Sequence, residues 1–144
     1  MILYTGGTFD LFHHGHVQFL KRCKDFADKI VVGLNTDEFV EQYKWQPPVM
    51  SLAERLQIVQ ACKYVDKVVV NSGGSDSKPI IDEIGPNIIA VGSDWTYKDY
   101  YDQMDFNQKW LDDRGIITMF IPYTKDISTT IIVNRLKDLN RQNP

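Results

Sequence analysis

The chain has 144 residues, 43% hydrophobic and 24% charged, the proportions of an ordinary globular domain with a core of its own. A formal net charge of -3 and a pI near 5.5 exclude a general nucleic-acid binder, which carries a basic face. No apolar run reaches membrane length and the N-terminus lacks the features of a secretory signal, so one domain over residues 1–144, cytoplasmic and without nucleic-acid or membrane partners, is expected.

Residues 1–4 read as a short buried strand, and Gly6-Gly7 as the turn that leaves it. All three histidines of the chain, His13, His14 and His16, then fall within one helical turn just before an apolar period begins. Backbone N–H groups at a helix start attract anions, and Gly15 has no side chain to keep a phosphate away. Imidazoles on either side of it can donate to phosphate oxygens as charge develops. A metal site is the weaker reading, because no matching His or Cys ligand set stands elsewhere in the chain. Phe19, Leu20, Cys23, Phe26 and Ala27 recur at helical spacing, and residues 29–34 form a second strand buried on both faces. Cys23 and Cys62 lie in apolar patterns without metal or redox spacing and read as reduced core residues.

Asn35-Thr36-Asp37-Glu38 follows the second strand, where Thr36 or Asp37 either caps a helix or meets a ligand. The pattern breaks over residues 41–50, whose prolines exclude a helix and leave Lys44 on a lid-like loop. Ser51 and Glu54 make a capping box. Arg55 in the first turn of that helix runs against its dipole, which points to an anion or to a solvated arginine. Residues 67–70 form the third strand. A polar loop over 71–77 leads to a helix between Pro79 and Gly85, with Lys78 at its mouth. Residues 88–91 form the fourth strand, ending at Gly92-Ser93-Asp94-Trp95. Residues 97–108 have no clear assignment and read as a surface for a partner subunit. A helix capped by Gly115 and a fifth strand over 116–121 follow. The last feature runs from Pro122 to Thr130. Its three hydroxyls, Ser128, Thr129 and Thr130, exceed what capping needs and mark a second anion site. Ile131, Ile132, Leu136 and Leu139 are expected to pin the final helix to the sheet, with residues 140–144 frayed.

Six stretches in order, Gly7-Thr8-Phe9-Asp10-Leu11-Phe12-His13-His14-Gly15-His16, Asn35-Thr36-Asp37-Glu38-Phe39, Glu54-Arg55, Tyr64-Val65-Asp66, Val91-Gly92-Ser93-Asp94-Trp95 and Ile127-Ser128-Thr129-Thr130, cover nearly the whole chain. Together they resemble the small cytidylyltransferases of the nucleotidyltransferase superfamily, most of all those acting on glycerol 3-phosphate. The resemblance implies a Rossmann-like open α/β fold, a parallel five-stranded sheet with helices on both faces, usually as a homodimer. It implies transfer of CMP from CTP to a small phosphorylated alcohol with release of pyrophosphate, and Mg²⁺ on the triphosphate. His13 and His16 take the catalytic role. Thr8, Phe9, Gly15, Lys44, Asp94, Tyr123, Thr124, Ile127, Ser128, Thr129 and Thr130 join them in holding the nucleotide. Asp10, Asp37, Arg55 and Lys78 fall to the phosphorylated acceptor, and no protein metal site is implied.

The chain departs from that pattern in two places. Tyr123-Thr124 stands where the family has Arg-Thr, and Lys125 beside it lacks the planar fork of arginine. Lys44 stands alone where the family carries a pair of lysines. An adenylyltransferase of the same superfamily and a nucleotide-binding module with weakened catalysis are therefore the alternatives.

Overall fold

The computed structural model describes residues 1–93, 96–125 and 127–142. Its strands are β1 (Ile2–Gly7), β2 (Lys29–Asn35), β3 (Lys67–Asn71), β4 (Ile88–Gly92) and β5 (Ile117–Ile121). The helices among the described residues are α1 (His14–Lys24), α2 (Asp37–Lys44), α3 (Leu52–Gln60), α4 (Lys78–Ile84), α5 (Tyr97–Met104), α6 (Gln108–Asp113) and α7 (Thr129–Gln142). All strand pairs are parallel, in the order β3-β2-β1-β4-β5. This is the open parallel sheet expected from the sequence.

The continuous apolar strands follow from cores on both faces. Ile30, Val32 and Leu34 enter one core with Leu3, Phe19, Leu20 and Val59, whereas Val31 enters the other with Tyr4, Ile81, Ile89 and Leu111. From β1 the chain winds outward to β3, returns to β4 on the other side of β1 and winds outward again to β5. The loops after β1 and β4 diverge at that reversal, where an open α/β sheet forms its ligand crevice.

β1 runs on to Gly7 instead of ending at Tyr4, with Gly6 and Gly7 paired to Gly33 and Leu34. The glycines serve packing here, not a turn. A Cβ on Gly6 would lie 2.9 Å from the Tyr4 hydroxyl, and one on Gly33 would lie 2.2 Å from it, so the buried Tyr4 ring requires both positions bare. α2 likewise continues through Lys44, past the expected break, and closes on Trp45 in the left-handed region at φ 66°.

Residues 97–108, which had no clear assignment from sequence, form α5 and the turn into α6, with one face directed inward and Tyr97 exposed. Tyr100, Met104 and Phe106 are buried in the second core, a period that the intervening polar residues hide. At the other extreme, Leu136 and Leu139 are each 54% exposed and do not pin α7, which is half-buried only at its start, around Ile131, Ile132 and Val133. Phe26 lies beyond the end of α1 and is exposed as well.

Candidate active site

The turn after β1 is made by side-chain-bearing residues, Phe9 at φ 53° and Leu11 at φ 49°. Left-handed backbone at such residues costs on the order of 1–3 kcal/mol each and persists only where the surroundings hold it. Asp10, between them, supplies much of that hold. Its carboxylate accepts from the backbone N–H groups of Leu11 (3.0 Å), Val49 (2.8 Å) and Met50 (2.9 Å). The Phe9 ring is buried, 5.2 Å from the ring of His16.

The loop ends on His13, the N-cap of α1. His13 Nδ1 accepts from the Gly15 N–H at 3.1 Å, and His16 Nδ1 accepts from the His13 N–H at 3.1 Å. A ring nitrogen that accepts carries no proton, so each neutral imidazole holds its proton on Nε2, on the far side from the backbone. The rings stack with centroids 3.8 Å apart, and Phe12 stacks on the other face of His16 at 5.3 Å. Two parallel N–H donors are thus fixed at a helix start. His14 is exposed and joins His13 only edge-on.

Burial, reinforced by His13 and opposed by Asp10, pushes His16 down to about 3. Burial and His14 lower His13 as well. The pair is neutral at pH 7, which lets the rings lie this close. Between the ordinary value of 6.5 and about 3, the unfolded chain binds a proton at His16 that the folded protein does not, so stability falls as pH falls through that window. Urea titrations at pH 6.5 and about pH 4.5 are expected to show a smaller loss in His16→Asn than in the parent protein; equal losses would place the effect elsewhere.

The second expected anion site lies against this loop. A Cβ on Gly15 would stand 3.0 Å from Ile127 Cγ2 and 2.9 Å from His13 Cε1, so the glycine permits the two stretches to touch. The Thr129 hydroxyl donates to the Asp10 carbonyl at 2.9 Å. The stretch after β5 has therefore reached across the end of β4 to the loop after β1. Ser128 Oγ accepts from the Ile131 N–H at 3.1 Å and caps α7, while Thr130 is exposed. Of the three hydroxyls, one caps, one joins the histidine loop and one faces solvent.

Thr8 meets Tyr43 through their hydroxyls at 3.1 Å, a contact without a sequence signal. Lys44 is exposed at the end of α2, its Nζ 5.7 Å from the Tyr43 ring centre. Tyr123 lies against Gly92, where a Cβ would be 2.0 Å from ring atom Cζ, and Thr124 beside it is half-buried. Asp94 lies outside the described residues.

The four residues assigned to the acceptor have other engagements. Arg55 is fully buried. Its Nε donates to the Met50 carbonyl (3.1 Å), Nη1 to the carbonyls of Thr8 and Asn35 (both 2.9 Å) and Nη2 to Asp37 Oδ1 (2.6 Å). Its charge is answered inside the protein, by three carbonyls and the Asp37 carboxylate. Asp37 also accepts from the Leu52 N–H, and Thr36 makes the helix cap. Asp10 is occupied as described. Lys78 pairs with Asp76 and Asp105 at the mouth of α4, following β3 at the sheet edge, with β2 between it and the histidine strand.

A reversal in strand order, a helix start bearing two fixed N–H donors and a second helix start joined to it define an α/β domain of the nucleotidyltransferase fold. The comparisons agree. The chain belongs to the cytidylyltransferase-like family, whose sequence profile matches residues 4–135. It is 30% identical over 132 residues to glycerol-3-phosphate cytidylyltransferase of Staphylococcus aureus, covering 92% of each chain. It is 40% identical over 93 residues to FAD synthase of Thermococcus sibiricus, covering 65% of this chain and 63% of that enzyme, so the match spans less than two thirds of the archaeal protein. Among solved structures, a lipopolysaccharide core biosynthesis protein from Thermoplasma volcanium superposes with a TM-score of 0.70 at 26% identity, over 86% of this chain and 98% of that one.

Proposed function

We propose that the protein transfers CMP from CTP to a small phosphorylated alcohol, glycerol 3-phosphate or a near relative, and releases pyrophosphate. The observation that carries this reading is the pair of stacked imidazoles, both with Nδ1 engaged by backbone and Nε2–H free of it, beside the α7 start. An oxygen of the acceptor phosphate attacks the α-phosphorus in line; that P–O bond forms as the bond to the β-phosphate oxygen breaks, and the electron pair leaves with pyrophosphate. The imidazoles meet the charge that grows on these oxygens, and no covalent enzyme intermediate is needed. Neutral donors do not repel one another before the nucleotide arrives, and the bound triphosphate raises their proton affinity. Likeness to the staphylococcal glycerol-3-phosphate cytidylyltransferase over 92% of both chains supports CTP and a phosphorylated polyol.

Among the described residues no group of three or more His, Cys, Asp or Glu side chains is placed to hold a metal, and the Asp10 carboxylate already accepts three N–H groups. Mg²⁺ in this reading enters as part of the substrate, bound to phosphate oxygens. No helix among the described residues is long and apolar enough to cross a membrane; a cytoplasmic homodimer is the form we propose.

A second reading, transfer of AMP from ATP, is favoured by the 40% identity to an FAD synthase. Pyrophosphate release measured with CTP and with ATP across a panel of phosphorylated acceptors decides between them, and tight binding of CTP without turnover on any acceptor would leave a nucleotide-binding module. Tyr123 bears on that last outcome. Its ring lies on Gly92 in the position of the family's arginine and offers a face where arginine offers a fork of donors. Tyr123→Arg is expected to change kcat by less than about tenfold if the native site is competent; a larger gain would show that it is impaired.

A further inference from the structure

We infer that Thr129 is a positioning residue: its bond to the Asp10 carbonyl clasps the histidine loop and, through the Asp10 carboxylate, holds the 45–50 segment in register with it. Threonine has one hydroxyl proton, and here it points to a carbonyl. While the clasp is made, Thr129 Oγ1 can only accept, and phosphate oxygens only accept as well, so this hydroxyl does not hold a phosphate. Ser128 differs, because its Oγ accepts from Ile131 and keeps its own proton for donation.

The partner of Thr129 is well placed to transmit a displacement. Asp10 is flanked by two left-handed residues, Phe9 and Leu11, whose backbone stays in that region only through outside contacts. The same residue's carboxylate takes the N–H groups of Val49 and Met50, and the Met50 carbonyl continues to Arg55. A hydroxyl near the C-terminus thus connects, through one residue, to the segment that follows Lys44. The nucleotide stretch and the far side of the crevice are joined at Asp10, with the histidines one turn beyond. Loss of the clasp frees the Asp10 carbonyl to turn and shifts the imidazoles, and a displacement of about 1 Å at a reacting centre costs on the order of a hundredfold in rate.

The kinetic part of this inference rests on the nucleotidyl-transfer reading, whereas its structural part does not. Amide hydrogen exchange in the unliganded protein tests the structural part. Thr129→Val, which keeps the shape and removes the donor, is expected to speed exchange at Val49 and Met50 by about tenfold or more, and Thr129→Ser to restore protection. Unchanged protection of both amides in the valine variant overturns the clasp, and Thr129→Ala repeats the measurement should valine misfold. With the nucleotide that the pyrophosphate assay selects, Thr129→Val is expected to lower kcat about tenfold or more with nucleotide KM within about twofold, again restored by serine. A raised nucleotide KM at unchanged kcat would make the hydroxyl a phosphate ligand and overturn the proposal. Failure of wild-type turnover refutes the functional reading alone, since the exchange result stands without it.

Discussion

Turnover in His16→Ala is expected to fall by about 10²–10³-fold or more, the effect of removing one fixed donor from a developing oxyanion. Alanine also removes the acceptor for the His13 N–H and opens a gap between Phe12 and His13, so it mixes chemistry with structure. Asparagine and glutamine separate the two. Asparagine places an oxygen near the position of Nδ1 and can keep the bond to His13, but has nothing at the position of Nε2; glutamine reaches that position with an amide donor. Asparagine is expected to be as inactive as alanine while melting close to the parent protein, and glutamine to recover part of the rate. His13→Ala and the double variant should lose about as much as either single change, because stacked donors acting on one charge are not additive. Pyrophosphate release and thermal unfolding measured together check the series. An asparagine variant near the parent rate would remove the imidazoles from the chemistry.

The elements that were legible in the sequence are those whose cause is local. Strands buried on both faces announce themselves as apolar runs; the Ser51–Glu54 box forms as its spacing requires, with bonds of 3.0 and 3.3 Å; and Gly85 and Gly115 take left-handed backbone at helix ends. That the histidine loop and the 127–130 stretch meet follows from both leaving strands at the carboxyl edge. What sequence could not carry is where a side chain's bonds go once the chain folds. Gly6 and Gly33 answer to a tyrosine on their own sheet, a condition invisible before strand register is known. Asp10, Asp37 and Arg55 have the residue types of a phosphate-acceptor site, yet most of their partners lie 15 to 47 residues away in other segments. A charge that binds a ligand and a charge that holds a ligand-binding loop look alike in one dimension.

Arg55 makes the strongest case for that distinction. Its guanidinium gathers carbonyls from the end of β1, the end of β2 and residue 50, together with the Asp37 carboxylate, so the carboxyl edge beneath the site is held by one planar group. Arg55→Met is expected to lower the unfolding free energy by about 3–5 kcal/mol, because three carbonyls and Asp37 all lose a donor and each buried acceptor left unmet costs about 1–3 kcal/mol. Arg55→Lys should restore little, since a single ammonium cannot span four acceptors spread around a fork. Asp37→Asn leaves the buried guanidinium without its counter-charge and is expected to cost about as much, although the amide oxygen can still accept from Nη2 and the arginine keeps its carbonyls. Urea denaturation checks all three. Where Arg55→Met remains folded at low temperature, kcat should still fall, because the Thr8 carbonyl leads directly into the left-handed turn that aims the imidazoles. An arginine that served the acceptor would behave in the opposite way, raising acceptor KM at unchanged stability, and that result would return Arg55 to the ligand.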